Sequence, residues 1–293
     1  QAGTNFSNSL LVGTSSTGTL SSAEGNTGVG VGVLGALTTG DNNVAVGFNS
    51  LDLNTTGSSN TSIGKDSLKS NTTGVGNTSV GMGTLYSNTT ASYNTAIGSL
   101  ALDTNTTGAS NTAVGYDALT ANSSGAGNVA IGVNSLDANT TASNNTAVGL
   151  NSLTTNTTGA DNTAVGRTSM EANTTGSNNV AVGLDSLALN TTGASNVAVG
   201  YASLAANTTG NNNSALGKDA LKLNTTASSN TAVGNSVLTT NTTGASNTAV
   251  GAGAMFANTE GACNTAVGVD ALAANTTGIC NISVGSLSLA ANT

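Results

Sequence analysis

The chain has 293 residues, of which 37% are hydrophobic, 2% aromatic and 6% charged, and His, Pro and Trp are absent. Without His there is no Ser-His-Asp triad and no His metal site, and a net charge of -8 disfavours nucleic acid as a partner. The composition fits neither a core of large side chains nor a highly charged disordered chain, so it indicates a regular architecture of small residues.

The chain opens with a lead-in segment, residues 1–8, and then repeats itself continuously from residue 9 to residue 293. Glycine recurs every 17 residues from Gly13 to Gly285 without insertion or deletion. We number each repeat so that this glycine is position 5, which gives the consensus N-T-A-V-G-x-[DN]-[SA]-L-x-x-N-T-T-G-x-[SN]. Each repeat is called a rung and is named by its position-5 glycine. The sequence therefore predicts one repeat domain of about seventeen rungs.

Positions 4 and 9 carry the large aliphatic side chains of each rung. Position 4 is always Val, Ile or Leu, as in Val148, and position 9 from Leu34 to Leu289 is Leu or Met, as in Leu119. A single rung cannot bury both side chains, but stacked rungs can bury them as continuous ladders. We therefore predict that positions 4 and 9 line the core and that positions 6, 10 and 16 lie outside.

The remaining positions indicate how the backbone of a rung turns. Positions 1–5 read as a short strand with a β-branched residue, and the small residues at positions 5 and 15 provide corners. Asn at positions 1 and 12 tolerates left-handed backbone and can bond along the stack. A helical turn at positions 7–11, as in residues 117–122, is the alternative; a helix is about 10 Å wide and stacks poorly at a strand spacing of about 4.8 Å. The sequence predicts an all-β fold, a parallel β-solenoid (β-roll or β-helix) forming a rod of roughly 80 Å.

The N-T-T run at positions 12–14 matches the N-glycosylation acceptor pattern. The alternative interpretation is a turn in which Asn and Thr satisfy backbone groups, and glycans on every rung would collide at a spacing of about 4.8 Å. The candidate glycosylation sites are Asn54, Asn71, Asn88, Asn105, Asn139, Asn156, Asn173, Asn190, Asn207, Asn224, Asn241 and Asn275.

Rows of Thr at positions 2, 13 and 14 suggest an ice-binding surface as a less favoured hypothesis. Position 2, as in Thr61 and Thr78, also carries Val44 and Val180 and shares a face with position 4. If position 4 is in the core, position 2 is half-buried. The N-T-T row lies beside a glycine corner, so a flat surface is not expected there.

Charged residues are few and scattered. Acids at position 7, such as Asp117 and Asp185, are interpreted as solubilising surface charges because Ca²⁺ needs several converging oxygens. Two of these acids, Asp66 and Asp219, lie beside four lysines with the same interpretation: Lys65, Lys69, Lys218 and Lys222. Position 6 is either an unselected surface position or a contact between protomers; its large residues are Phe48, Met82, Tyr116, Val133, Leu150, Leu184, Tyr201 and Val269.

The two cysteines, Cys263 and Cys280, are 17 residues apart and occupy position 17 of neighbouring rungs. At a rung spacing of about 4.8 Å, their Cα atoms would lie within the range of roughly 4.4–6.8 Å that suits a disulfide. We therefore predict a disulfide between them, with two free thiols as the alternative. A disulfide would imply an oxidising and hence extracellular compartment.

The repeat resembles a known family. Units such as NTAVGYDALTANSSGAG, residues 111–127, resemble the head repeats of trimeric autotransporter adhesins. They resemble still more the repeats of phage and bacterial tail-fibre-like proteins, from about Ser9 to Thr293. The resemblance implies a left-handed β-roll, commonly a homotrimer, on an extracellular fibre, cell surface or virion. The unit is longer than the common adhesin head unit, and no neck, stalk, membrane anchor or chaperone domain is recognised.

These patterns predict a structural subunit of an extracellular fibre or surface filament, with an adhesin head that binds a surface glycan or other ligand as the alternative. No nucleophile-base pair or phosphate loop is recognised, so no enzymatic activity, cofactor or metal is expected. No apolar run approaches the roughly 18 residues of a membrane span. The expected partner is the chain itself, as a homotrimer or as a head-to-tail filament that covers exposed strand edges.

Overall fold

The structure, a computed structural model, describes residues 6–13 and 17–292, with only the backbone of residues 6 and 7. Most of the predicted lead-in segment therefore lies outside the described residues. The chain divides into two compact units, Gln1–Asn145 and Thr146–Thr293, and each is described by itself.

The described residues of the first unit form ten short strands. They are β1 (Phe6–Ser7), β2 (Leu10–Val12), β3 (Ala23–Glu24), β4 (Thr27–Val29), β5 (Val44–Val46), β6 (Thr61–Ile63), β7 (Thr78–Val80), β8 (Thr95–Ile97), β9 (Thr112–Val114) and β10 (Val129–Ile131). Strand β1 pairs with β3, and the parallel ladder runs from β2 through β4 to β10.

The second unit contains nine strands in one parallel ladder. They are β11 (Thr146–Val148), β12 (Thr163–Val165), β13 (Val180–Val182), β14 (Val197–Val199), β15 (Ser214–Leu216), β16 (Thr231–Val233), β17 (Thr248–Val250), β18 (Thr265–Val267) and β19 (Ile282–Val284).

The predicted parallel β-solenoid is confirmed. Apart from β1 and β3, which lie at positions 15 and 16, each strand occupies positions 2–4 of its rung and pairs in register with the same positions of the next, as in Thr78 with Thr95. The rest of each rung consists of turns, and the described residues contain no α-helix, so the alternative of a helical turn per rung is wrong. The left-handed sense stays a prediction from the resemblance.

The core of each rung is narrow and mixes one large aliphatic side chain with small and amide side chains. Position 9 is fully buried, as predicted, from Leu34 to Leu272, whereas Leu289 in the last rung is exposed. Position 3 is buried as well, as in Ala113, and positions 1 and 12 bury Asn111 and Asn122. The core is therefore filled by Leu, Ala and Asn ladders and contains few bulky groups.

The prediction for position 4 is wrong, because this side chain points away from the core. In each described strand of three residues from β4 to β19 the middle residue is buried and position 4 is half-buried or exposed, as in Val148. Ile63 is 41% exposed. The physical reason is the width of the interior: at Gly28, in position 3, an added Cβ would already lie 2.8 Å from Val33 Cγ1. The interior accepts Ala or Ser opposite position 8, so the β-branched residues face outwards.

Besides the position-5 glycine, three repeat positions have positive φ, and they are not the asparagine positions expected from the sequence. Positions 7, 9 and 17 have positive φ, whereas Asn at positions 1 and 12 does not. The position-9 Leu119 has a φ of 56°. This conformation costs a residue with a side chain roughly 1–2 kcal/mol, and full burial of Leu contributes about 1.5–3 kcal/mol. Burial thus offsets the backbone strain once per rung.

Position 5 requires glycine for two reasons. Its φ lies between 119° and 146° from Gly30 to Gly285, a region that L side chains rarely adopt. In addition, a Cβ on Gly183 would lie 2.6 Å from the carbonyl oxygen of Gly200. The predicted glycine corner is confirmed here.

A buried chain of hydroxyl groups crosses three rungs of the first unit. Ser50 Oγ donates to Ser62 Oγ at 2.8 Å, and Ser62 Oγ donates to Ser67 Oγ at 3.0 Å. The chain continues from Ser67 to Ser79 at 2.8 Å and ends at Thr84 at 2.6 Å. This network was not predicted, although Ser at position 3 coincides there with Ser or Thr at position 8.

Candidate interaction surface

The candidate glycosylation sites at position 12 are all fully buried inside the rungs. Asn71 Nδ2 donates to Oδ1 of Asn54 in the neighbouring rung at 2.8 Å and to the carbonyl of Gly74 at 3.0 Å. The same two contacts recur along both units. Glycosylation stays a prediction, but the atom that would carry the glycan is occupied, which favours the structural interpretation.

Asn at position 1 forms a second buried ladder. Asn43 Nδ2 donates to Asn26 Oδ1 at 3.0 Å and to the Gly57 carbonyl at 2.9 Å. That carbonyl also accepts a bond of 2.8 Å from Asn54. The two ladders therefore meet at the position-15 carbonyl, where two side-chain amides hold the corner.

The Thr residues of the N-T-T run point outwards, but the two differ. At position 13, Thr55 Oγ1 donates to the carbonyl of Thr72 at 3.0 Å, so this hydroxyl is used along the stack. At position 14, Thr56 and Thr73 are exposed, and no hydrogen bond of their hydroxyls to another described residue is seen. Each unit thus displays an exposed column of position-14 side chains.

The outer face of the strands is uncharged. It consists of positions 2 and 4, which are half-buried or exposed, as in Thr95 and Ile97. The expected sharing of one face by positions 2 and 4 is confirmed, but this face points to solvent. Position 2 is half-buried in β6 to β9, as expected, but it lies on the solvent side of the strands.

A second outer surface, which we call the turn face, consists of positions 6, 7 and 10. Large side chains at position 6 are exposed, as in Met82 and Tyr116, whereas Leu184 is half-buried. Lys69 at position 10 extends over the ring of Tyr86 in the next rung, with Nζ 5.4 Å from the ring centroid. A contact between protomers at position 6 stays a prediction.

Two clusters of the same composition lie on the turn face, one in each unit. In the first unit, Nζ of Lys65 and Nζ of Lys69 lie 3.4 Å and 3.3 Å from the carboxylate of Asp66. Burial tends to raise the pKa of Asp66, but hydrogen bonds from Asn49 and the lysines outweigh it and hold this pKa below its usual value.

The second unit repeats the cluster at equivalent positions. Nζ of Lys218 and Nζ of Lys222 lie 3.6 Å and 3.0 Å from the carboxylate of Asp219. The hydrogen bond that Lys222 donates to Asp219 raises the pKa of Lys222. Both clusters carry one more positive than negative charge, so the sequence-based interpretation as scattered surface charge misses their recurrence.

An acidic group lies on the turn face of the first unit. Burial raises the pKa of Asp103 and of Asp137, and the nearby charge of Asp117 raises both further. Asp117 accepts a hydrogen bond from Tyr116. No Lys or Arg occurs between Lys69 and Arg167. The three carboxylates therefore have no cation close to them in the sequence.

The structure does not contain the predicted disulfide: Cys263 and Cys280 are exposed free thiols. Both residues have nearly the same backbone, with φ of 59° and 56°. Their Cα–Cβ bonds are therefore parallel, so the Cβ atoms stay about 4.8 Å apart, whereas a disulfide needs roughly 3.8 Å. Stacking in register therefore places the two thiols on neighbouring rungs, but leaves their Cβ atoms too far apart for a disulfide.

The described residues contain no cluster of His, Cys, Asp or Glu that could hold a metal ion. Nor does any helix in the part of the chain that the structure describes have the length and apolarity to span a membrane. Comparisons with protein families, with curated proteins and with solved structures found no match to this chain.

Proposed function

We propose that this chain is a structural subunit of an extracellular fibre or surface filament, in which stacked rungs bear load. The observation that carries the proposal is the pair of buried asparagine ladders. Within each unit, neighbouring rungs are joined by backbone bonds and also by side-chain amides in the interior, as between Asn207 and Asn190 at 2.8 Å.

This double connection resists bending. Separating two rungs on one side of a unit stretches the strand bonds, as between Thr163 and the carbonyl of Asn179 at 2.8 Å. It also opens amide bonds in a buried interior, where each group left without a partner costs about 1–3 kcal/mol. Because the bonds recur at every rung, stiffness is spread evenly along a unit.

Self-association fits the same architecture. Each rung presents the same donors and acceptors to the next, so a rung of a second copy can continue the stack with equivalent bonds. Head-to-tail growth is one form of this proposal. The homotrimer implied by the resemblance to adhesin heads and tail fibres is the other, and the exposed apolar residues at position 6, such as Phe48, support it.

An extracellular location, on a cell surface or in a virion fibre, is part of the proposal. It is supported by the resemblance of the N-T-A-V-G repeat. The free thiols of Cys263 and Cys280 remove the support that a disulfide would have added.

An adhesin is the alternative function. The turn face changes from rung to rung, with Tyr201 beside Lys218 on neighbouring rungs, while the core stays constant. Exposed aromatic and charged side chains on a constant scaffold suit recognition of a surface glycan or another ligand.

Ice binding is a further candidate because of the outward strand face. Thr78, Thr95 and Thr112 occupy position 2 of successive rungs and recur at a spacing of about 4.8 Å. A regular, uncharged array of hydroxyl and methyl groups is suited to ordering water.

Electron microscopy of the purified protein tests the proposal. A structural subunit should give elongated particles or fibres, without saturable binding to glycans and without thermal hysteresis. Saturable binding to one surface ligand would favour the adhesin, and thermal hysteresis would favour ice binding. Compact globular particles would contradict a fibre.

A further inference from the structure

The turn face of the first unit carries charges of opposite sign at two separate places. The basic cluster of Lys65, Asp66 and Lys69 lies on the Gly64 rung. The acidic group is centred three rungs further on, with Asp117 on the Gly115 rung. Both places use the same repeat positions and therefore face the same way.

The surface between these charges is apolar. It borders Asp103, the first residue of the acidic group, on the Gly98 rung. It is centred on the Gly81 rung, where Met82 is 53% exposed and Tyr86 is 38% exposed. Leu100, at position 7, is half-buried beside them. Met and Tyr are enriched at the centres of protein interfaces, where charged residues are depleted. An apolar centre flanked by opposite charges has the anatomy of a contact surface.

We propose that this turn face binds the same face of a second copy of the chain, with the two copies antiparallel. A two-fold axis perpendicular to the stack, passing between the Gly81 and Gly98 rungs, places the Gly64 rung opposite the Gly115 rung. The basic cluster of each copy then faces the acidic group of the other. Such an interface is self-complementary and closes at two copies.

In this antiparallel register, each lysine of the basic cluster lies near an aspartate of the second copy. Lys69 lies opposite Thr120 of the second copy, between its Asp103 and Asp137, one rung away on either side. Lys65 lies opposite Tyr116 of the second copy, next to the hydrogen-bonded Asp117.

Two pairs of aspartates face each other across this interface, and lysines lie close to both pairs. Asp66 faces Asp117 of the second copy, but its own lysines lie 3.4 Å and 3.3 Å away, so the facing group is a net cation. At the edge, Asp52 faces Asp137 of the second copy, with Lys69 close to both. Burial raises the pKa of Asp52, and the charge of Lys69 opposes this rise.

The second unit shows why the acidic group matters. Its basic cluster of Lys218, Asp219 and Lys222 also has an aspartate three rungs further on, Asp270. The flanking position-10 residues there are Phe256 and Ala290 instead of acids. The second unit therefore offers the same cations with one matching aspartate and without the two flanking acids, which makes it an internal control.

The size of the interface sets its strength. Six rungs at about 4.8 Å, with a face about 15 Å wide, cover on the order of 400 Å² on each copy. This is about half of what a standard stable interface buries on each partner. The dimer should therefore be weak, and its charge contacts should weaken further with salt.

Sedimentation equilibrium of the full chain, at protein concentrations up to about 1 mM, tests the dimer. We expect a monomer–dimer equilibrium that shifts to monomer as salt rises. Lys65→Glu/Lys69→Glu should weaken the dimer about tenfold or more, whereas Lys218→Glu/Lys222→Glu should leave it within about twofold. Adding Asp103→Lys/Asp117→Lys/Asp137→Lys to the first variant should restore it.

A monomer at every concentration, or equal loss in both lysine variants, would overturn the proposal. Circular dichroism identifies whether the combined variant fails to fold, and a mixture then replaces it: Lys65→Glu/Lys69→Glu chains mixed with Asp103→Lys/Asp117→Lys/Asp137→Lys chains should form dimers, because both facing sets of charges are then complementary. No association in that mixture would also overturn the proposal.

Cross-linking tests the direction. With Cys263→Ser and Cys280→Ser in place, the antiparallel register places Phe48 opposite Val133 of the second copy. Copper phenanthroline should therefore cross-link a mixture of Phe48→Cys and Val133→Cys chains. Cross-linking of Phe48→Cys to itself at an equal or greater rate would show a parallel contact and overturn the proposal.

Discussion

Asn122 Nδ2 donates to Asn105 Oδ1 at 2.8 Å, across one rung and inside the solenoid. The same nitrogen donates to the carbonyl of Gly125 at 3.0 Å. One amide thus links two rungs and holds a corner of its own rung. The N-T-T run is therefore primarily a structural element in the folded chain.

Replacing Asn122 tests this ladder. Asn122→Ala should lower the free energy of unfolding by about 1–3 kcal/mol, because the Asn105 oxygen loses its donor in a buried site. Asn122→Asp should lower it more, because its carboxylate faces that oxygen and the Gly125 carbonyl. Urea denaturation measures both, and Ser124→Ala, exposed on the same rung, should change stability by less than about 0.5 kcal/mol. Equal effects at both positions would contradict a buried ladder.

The orientation of the strands makes a second prediction. Ala113 is fully buried and Val114 is only half-buried. Ala113→Leu should destabilise the protein by about 1–3 kcal/mol through overpacking, whereas Val114→Thr should cost less than about 1 kcal/mol. Thermal and urea unfolding compare the two. A larger loss for Val114→Thr would show that position 4 lies in the core after all.

The sequence predicts the place of some repeat positions in the fold but not of others. The 17-residue period defines the rungs. It also places Leu119 in the core, because a large side chain recurs at this position and a single rung cannot bury it. The strand could not be oriented in the same way, because positions 3 and 4 are equally regular and hydrophobicity favours Val over Ala. Only the interior width, visible at Gly28 and Val33, decides between them.

The candidate surface was harder to predict because its parts come from different rungs. Lys69, Tyr86 and Asp117 are far apart in sequence, and each alone reads as an ordinary surface residue. Their common face depends on the backbone path through positions 6–10, where left-handed residues such as Asp117 turn the chain. That path leaves no signal in hydrophobic periodicity.

The cysteines make a third prediction. Because Cys263 and Cys280 are exposed free thiols, iodoacetamide should alkylate both in the folded, unreduced protein. Mass spectrometry should then find two carbamidomethyl groups on each chain, and prior reduction should not change this number. A mass without added groups, with alkylation appearing only after reduction, would show that a disulfide forms despite the parallel Cβ atoms.

The acidic group makes a prediction about pH. The pKa values of Asp103 and Asp137 are raised by burial and then by Asp117. The folded state therefore binds protons more readily than the unfolded state. The stability contribution of these groups falls as pH rises from the ordinary carboxyl value through the raised pKa.

Asp117→Asn should remove part of this effect. It should raise stability at neutral pH, change it less at low pH, and flatten the decline between them. Urea midpoints measured from acidic to neutral pH check the change, and Asp270→Asn at the same repeat position is the control. An unchanged pH dependence in Asp117→Asn would contradict the interaction among the three carboxylates.

The central claim is that a fibre is built from rungs stacked in register along its axis. X-ray diffraction from aligned filaments of the purified protein tests it most directly. We expect a reflection at about 4.8 Å along the fibre axis, since each rung repeats the one before it. Filaments whose 4.8 Å reflection lies perpendicular to the axis, or a protein that forms no filaments at all, would contradict the claim.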